Sequence, residues 1–88
     1  MEIALLTQED CGSCHQAEEV LERLSTEYGF SVRTLDLASP EGLSLAEGGA
    51  VPFPPGVFID GRPFSYGRLS ERKLRRELDR RLGTIRKV

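Results

Sequence analysis

Cys11 and Cys14 are the residues of this 88-residue chain whose type and spacing could do redox chemistry. They are the only two cysteines in the sequence, and Gly12 and Ser13 stand between them. In a cytosolic protein with βαβ patterning, two thiols at this spacing indicate a redox dithiol. Such a pair exchanges disulfides with a partner through a mixed-disulfide intermediate.

A strand and a helix are predicted to hold this pair between them. Glu2–Leu6 is a short apolar run that ends at Thr7, long enough for a buried strand and too short for a helix. After the cysteines, apolar side chains recur at the spacing of one helix face, and a glycine then ends the helix. This face comprises Ala17, Val20, Leu21, Leu24 and Tyr28, followed by Gly29.

The start of helix 1 explains how the two thiols would differ. Unpaired N–H groups and roughly half a positive charge at a helix N-terminus stabilise a thiolate, so we expect Cys11 to be the nucleophile. Gly12 and Ser13 allow the turn that brings Cys14 close enough to resolve the mixed disulfide.

The rest of the chain completes an α/β fold. The alternating segment Phe30–Leu37 predicts strand 2, parallel to strand 1 through a right-handed crossover. Ser39 and Pro40 have the residue types of an N-cap and a first helical position, so a short helix 2 should run to about Gly48-Gly49. The alternating face of strand 2 consists of Phe30, Val32 and Thr34.

A hairpin and a third helix follow. Two β-type runs, 57–59 and 63–66, flank an Asp60-Gly61 turn, which predicts strands 3 and 4. Helix 3 is predicted from a hydrophobic staple around Ser70 and an apolar face that ends before Gly83. The staple is Leu69 and Leu74, and the face is Leu74, Leu78 and Leu82. The order βαβαββα predicts a four-stranded mixed sheet with flanking helices, as one domain over 1–83 with a tail at 84–88.

Composition narrows the class of protein. With 39% hydrophobic residues and a longest apolar run of four, Ile3–Leu6, the chain has the composition of a globular domain and no stretch that could cross a bilayer. No basic stretch precedes that run, as a secretory signal would require, so we expect a cytoplasmic protein without a membrane partner.

The net charge of −2 hides an asymmetry. Residues 1–67 carry three arginines against eleven acids, a net charge of −8, whereas residues 68–88 carry nine bases against three acids, a net charge of +6. Charge runs of this kind usually only solvate a helix, and no aromatic residue interleaves the bases, so we expect no nucleic-acid partner. A surface for another protein on helix 3, using Arg72, Arg75 and Arg76, is an alternative.

Three other interpretations of the cysteines stay open. A structural zinc site normally has four ligands, and Cys11, Cys14 and the adjacent His15 supply three. The same three residues match the haem-attachment pattern C-x-x-C-H, although no export signal is present. The third is a buried, unreactive pair, against which the polar neighbours argue.

Strand 1, Thr7, the C-x-x-C pair and the later run Pro55–Gly61 together resemble the glutaredoxin family of the thioredoxin fold over nearly the whole chain. The resemblance implies a three-layer thioredoxin-like structure and a dithiol–disulfide oxidoreductase with roles in electron transport and cell redox homeostasis. It implies a protein or low-molecular-weight disulfide as substrate, and an external thiol or reductase as electron donor. We expect no embedded cofactor, no metal and a monomer.

The resemblance also implies a cis-proline loop that faces the cysteines. The family register favours Pro55, Val51–Pro52 is the alternative, and an all-trans loop stays open because a cis X–Pro bond depends on packing. We expect Pro54, Pro55 and Tyr66 to contact substrate with Gly12 and Ser13, although Tyr66 could equally serve hairpin packing.

Three departures from the family bear on the partner thiol. Glu9 and Asp10 replace the usual Lys-Pro before the first cysteine and should raise the pKa of the Cys11 thiol relative to its relatives. Pro54 has no N–H to pair with a bound peptide or glutathione. Of the Gly-Gly and acid that receive glutathione, only Gly67 survives, one place late. Tight glutathione binding is therefore doubtful. The alternative to an enzyme is a non-catalytic metal, iron–sulfur or protein-interaction module on the same fold.

Overall fold

The computed structural model describes residues 1–82, with seven elements in the predicted order. The strands are β1 (Glu2–Thr7), β2 (Ser31–Asp36), β3 (Gly56–Ile59) and β4 (Arg62–Tyr66). The helices are α1 (Gly12–Tyr28), α2 (Pro40–Gly49) and α3 (Glu71–Leu82). The strand order is β2-β1-β3-β4, with β1 and β2 parallel and the other pairs antiparallel, which confirms the four-stranded mixed sheet. The predicted stop at Gly83 and the tail at 84–88 lie outside the described residues.

The larger core lies between the sheet and the helices α1 and α3. The helical face predicted for α1 is buried over its whole length, and Gly29 ends the helix in the left-handed conformation with its N–H donating to the Ser25 carbonyl. Ser70 Oγ accepts from the Lys73 N–H, which places the cap of α3 where the staple predicted it. The buried members of this core are Ile3, Leu5, Ala17, Val20, Leu21, Leu24, Tyr28, Phe30, Val57, Ile59, Leu69, Leu74 and Leu78.

The opposite side of the sheet, under α2, has a smaller core. Its buried members are Ala4, Leu6, Ala46 and Phe58. Two glycines bring the backbone of α2 close to its neighbours: a Cβ at Gly49 would lie 2.7 Å from the Phe58 ring, and one at Gly42 would overlap the Asp36 carbonyl. Helix α2 therefore lies close to its neighbours at these two glycines, where a side chain would not fit.

Strand β2 is buried less than its alternation predicted. Phe30, just before the strand, is buried, but Val32 is 38% exposed and Thr34 is also exposed. The reason is position, because β2 is an edge strand and α1 covers it only in part.

Polar contacts fasten α3 to α1. Arg75 donates to both carboxylate oxygens of Glu27 (2.7 and 3.1 Å) and to Glu71 (3.0 Å), and Arg23 donates to Glu71 (2.7 Å). Tyr28 Oη donates to Asp79 at 2.9 Å. Of the three arginines considered for a protein surface, Arg75 thus joins two helices through its guanidinium, and Arg72 and Arg76 are exposed.

None of the helices within residues 1–82 combines the length and the apolar character needed to span a membrane.

Candidate active site

Three chain segments meet at one end of the sheet. Strand β1 leaves the sheet at Thr7 and leads into the cysteine segment, while the pairing of Leu6 with Gly56 places the start of β3 beside it. Gly56 also pairs with Tyr66 at the end of β4. The loop before β3 and the segment after β4 therefore lie at the same end of the sheet as the exit to Cys11.

Cys11 is the N-cap of α1. Its backbone is extended (φ −116°, ψ 101°), and its Sγ accepts the Cys14 N–H at 3.1 Å, the bond that a Ser or Asp oxygen usually accepts. The Cys11 carbonyl also accepts from the N–H groups of Cys14 (3.1 Å) and His15 (3.3 Å). The first sulfur thus lies where the unpaired helix N–H groups point.

The two sulfurs differ in exposure. Cys11 and Cys14 form a disulfide in the structure, with their Cα atoms 5.2 Å apart, inside the range that a disulfide requires. Cys11 is half-buried, whereas Cys14 is only 3% exposed and packs on the inner side of α1. A partner approaching from solvent reaches Cys11 first. The interpretation of two buried cysteines is therefore wrong for Cys11.

The turn between the cysteines is open to solvent on one side. Gly12 is exposed, and a Cβ there would meet no atom within 4 Å, while Ser13 is half-buried. Gly12 is therefore not required by crowding within the chain.

The proline loop lies at the same end of the sheet as the exit to Cys11. The peptide bond between Pro54 and Pro55 is cis, at the position that the sequence favoured over Val51–Pro52. Pro54 is half-buried and Pro55 is buried, and the Pro55 carbonyl accepts the N–H of Gly67 at 2.8 Å. This bond joins the loop to the end of β4.

Tyr66 packs against a second aromatic residue rather than into the hairpin. The rings of Phe53 and Tyr66 meet edge to face, with centroids 5.3 Å apart and planes at 87°. Phe53 also lies against Gly67, where a Cβ would be 3.1 Å from the ring and where φ is +77°. Both rings are 52% exposed.

Two acidic residues precede Cys11, and a histidine follows Cys14. Glu9 and Asp10 are exposed, and neither forms an ion pair within residues 1–82. His15 is largely exposed, and its Nδ1 lies 3.5 Å from Glu18 Oε1, which places this ring beside a carboxylate of its own helix. No group of three or more His, Cys, Asp or Glu side chains within residues 1–82 is arranged to hold a metal ion.

Gln16, in the helix that Cys11 begins, makes a contact that the sequence did not predict. Its side-chain amide donates to the Leu69 carbonyl at 3.0 Å and accepts from the Leu69 N–H at 3.2 Å. These two hydrogen bonds between a side-chain amide and the main chain tie the second turn of α1 to the segment between β4 and α3. A partner 53 positions away leaves no local signal in the sequence.

The comparisons with known proteins agree with this geometry. The family described as glutaredoxin-like domain (DUF836) matches residues 2–79. The uncharacterized protein Rv0508 of Mycobacterium tuberculosis is 33% identical, over 90% of this chain and 84% of that protein.

Solved structures show the same fold. A mutant thioredoxin from Halobacterium salinarum superposes with a TM-score of 0.70 at 25% identity, over 92% of this chain and 74% of that one. Thioredoxin 1 of Thermosipho africanus superposes with a TM-score of 0.73 at 17% identity, over 99% of this chain and 100% of that one, which bears on the fold alone.

Proposed function

This chain belongs to the glutaredoxin-like domain family (DUF836), and we propose that it is a thiol–disulfide oxidoreductase acting through Cys11 and Cys14. One observation supports the proposal above the others: Cys11 is the N-cap of α1, and its sulfur is the accessible member of a pair at disulfide distance. An N-cap sulfur receives the N–H groups that stabilise a thiolate, the form that attacks disulfides.

The proposed cycle begins with the reduced dithiol. The Cys11 thiolate attacks one sulfur of a substrate disulfide, a Cys11–substrate disulfide forms, and the displaced substrate sulfur leaves as a thiolate that takes up a proton. Cys14, deprotonated, then attacks Cys11 Sγ, which forms the Cys11–Cys14 disulfide and releases the second substrate thiol. Two electrons pass from the protein to the substrate, and an external thiol or reductase restores the dithiol.

Local charge sets the reactivity of Cys11 in two opposing ways. The helix N-terminus and the Cys14 N–H favour the thiolate, whereas Glu9 and Asp10, just before the helix, disfavour it. The balance gives a thiolate less stabilised than one preceded by a cation.

The proline loop and the cysteine turn are proposed to bind the substrate. Pro54 and Pro55 would position the attacked sulfur, with Gly12, Ser13 and Tyr66 around it. Because proline has no N–H, the main chain of Pro54 can accept a hydrogen bond from a bound segment but cannot donate one.

The proposed partners are a protein or small-molecule disulfide and an external electron donor, in a reducing compartment such as the cytoplasm. No embedded cofactor, nucleic acid or membrane enters the cycle, and the proposed state is a monomer.

The test combines an electron-donor panel with cysteine variants. Purified protein is supplied with glutathione and its reductase, or with thioredoxin reductase, and turnover of a disulfide is followed through NADPH. Cys11→Ser should abolish turnover, whereas Cys14→Ser should accumulate a mixed disulfide at Cys11 that mass spectrometry detects. The control variant is Ser44→Ala, on the exposed side of α2 and away from the cysteines, and it should keep the parent rate.

Two results would contradict the proposal. One is a Cys11→Ser variant that reduces disulfides at the parent rate. The other is zinc or an iron–sulfur chromophore retained through purification on both cysteines, which would support a metal module instead.

A further inference from the structure

Two aromatic side chains are exposed at the end of the sheet where the cysteines lie. The chain has six aromatic residues, all within 1–82, and four of them are buried or half-buried: Tyr28, Phe30, Phe58 and Phe64. Phe53 and Tyr66 are each more than half exposed and contact each other. We refer to these two residues as the aromatic pair.

The aromatic pair is fixed to the proposed site by the backbone. Tyr66 lies opposite Gly56 in the β3–β4 register, and Phe53 lies against Gly67. The N–H of Gly67 donates to the Pro55 carbonyl, so a shift of the pair would require a shift of the proline loop. The pair is therefore fixed to the proline loop, at the end of the sheet where β1 leads into Cys11.

The main chain around the pair is poor in hydrogen-bond donors. Pro52, Pro54 and Pro55 have no N–H, and the N–H of Gly67 is already used within the chain. A small anionic thiol with two carboxylates needs donors or cations for both, and Arg68 is the one cation in the segment that follows β4.

The charge of the other side of the site favours a different partner. Glu9 and Asp10, next to Cys11, have no ion-pair partner within residues 1–82. Two carboxylates directly before Cys11 in the chain attract a cationic group of a substrate and repel an anionic one.

A cleft beside Tyr66 has room for an apolar side chain. It has a volume of about 330 Å³. Its lining residues are Gly49, Val51, Pro63, Phe64, Ser65 and Tyr66. Aromatic side chains beside such a cleft are the usual anchors of a protein contact.

We propose that the aromatic pair docks an apolar side chain next to the reactive cysteine of a protein substrate, whose neighbouring Lys or Arg faces Glu9 and Asp10. The substrate class is thus an extended protein segment with an apolar residue and a base beside its disulfide. This inference rests on the proposed oxidoreductase function and adds its specificity.

The test uses short peptides that carry a thionitrobenzoate mixed disulfide, whose release is coloured. Four peptides combine Leu or Ser before the cysteine with Lys or Glu after it, and cysteine–thionitrobenzoate is the small reference. In single-turnover reactions, the reduced wild-type protein should react with the Leu/Lys peptide with a second-order rate constant about 10-fold or more above that for the Ser/Glu peptide.

Variants of the pair should then lose this preference. Phe53→Ala and Tyr66→Ala should each lower the Leu-to-Ser preference about fivefold, measured as a ratio within one variant, while Tyr66→Phe retains it because the ring stays. Leu43→Ala, which removes a 48% exposed apolar side chain on α2, should leave the preference unchanged. Glu9→Gln with Asp10→Asn should lower the Lys-to-Glu preference.

The outcomes separate the two proposals. Equal rates on all four peptides, or a preference that survives both alanine variants, would overturn the aromatic pair as a docking surface. Glutathione–thionitrobenzoate serves as a further small probe, and a faster reaction with it than with the Leu/Lys peptide would do the same. Absence of turnover on every probe, including the small reference, would count against the oxidoreductase function itself.

Discussion

The two sides of the sheet are built differently, and each supports one wall of the candidate site. Under α1 and α3 the core has thirteen buried residues, mostly large side chains, whereas under α2 it has four, and glycines close the distance. The first side is stabilised by buried apolar volume, and the second by close backbone approach.

Because of this difference, the cysteines and the proline loop lie on cores of unequal size. Cys11 begins the helix that the larger core holds, while the loop with Pro54 and Pro55 follows α2 on the smaller core. Regions with few buried contacts open at lower free energy, so we expect local opening on the α2 side before the α1 side.

The largest expected effect breaks the larger core. Leu24→Ala removes a fully buried side chain of α1 and should lower the free energy of unfolding by about 3–4 kcal/mol, because a cavity remains. Leu45→Ala, at a half-buried position of α2, should cost about 1 kcal/mol. Urea denaturation of both variants measures the difference, and equal costs would mean that the two sides are alike.

A second pair of variants tests close approach under α2. In Gly49→Ala the new Cβ would meet the Phe58 ring at 2.7 Å, and we expect a loss of about 1–3 kcal/mol. In Gly48→Ala, one residue earlier in the same helix, the Cβ would meet nothing within 4 Å, so the substitution should stabilise by about 0.5–1 kcal/mol. Thermal melts of the two variants should shift in opposite directions, and a parallel shift would argue against packing as the cause.

A third prediction concerns the tie between α1 and the segment before α3. Gln16→Ala removes both bonds to the Leu69 main chain and should cost about 1–2 kcal/mol. Gln16→Glu keeps an acceptor for the Leu69 N–H but loses the donor to its carbonyl, so it should still destabilise. Glu19→Ala, on the exposed face of α1, is the control. Urea midpoints check this, and a Gln16→Ala midpoint equal to that of the control would contradict it.

The smallest expected effect is the pH dependence of folding stability that comes from the ion pairs of α1 and α3, on the side of the larger core. The Arg23 guanidinium, together with that of Arg75, holds the pKa of Glu71 below its usual value of 4.5. A lowered pKa in the folded state adds stability above pH about 4.5, and this stability is lost as the pH falls through the folded-state pKa. Arg80 and Arg81 lower the pKa of Glu77 in the same way.

The measurement is the urea midpoint at pH 7, 5, 4 and 3. The wild-type midpoint should fall below pH about 5, and Glu71→Gln should show a smaller fall because one titrating group is removed. If the urea midpoint of Glu71→Gln fell with pH as steeply as that of the wild type, the contacts of Glu71 with Arg23 and Arg75 would add no pH-dependent stability.

Local patterns predicted most of the fold. The helical periodicity of α1, the cap at Ser39 and the Asp60-Gly61 turn each depend on residues close in sequence, and the structure places all three as predicted. The cysteine pair was predictable for the same reason, because it is a short motif, whereas the cis bond before Pro55 was expected from the register of the family that the sequence resembles.

Long-range placement limited the rest. The alternation of β2 indicates a strand but not that the strand lies at the sheet edge, so the exposure of Val32 could not be predicted. The ion pair of Arg75 with Glu27 and the hydrogen bonds of the Gln16 side chain with Leu69 join positions about 50 residues apart. The place of Cys11 at the start of α1, by contrast, was expected from the sequence, and the structure shows its sulfur accepting the Cys14 N–H there.

The cap formed by Cys11 offers a spectroscopic handle on the reaction. The chain contains no tryptophan, so indole fluorescence cannot follow its oxidation state. The Cys14 amide proton, however, points at the very atom that changes between disulfide and thiolate. Its nitrogen-15 and proton chemical shifts should therefore move with each oxidation step, giving an NMR signal for turnover that needs no added label at the thiols.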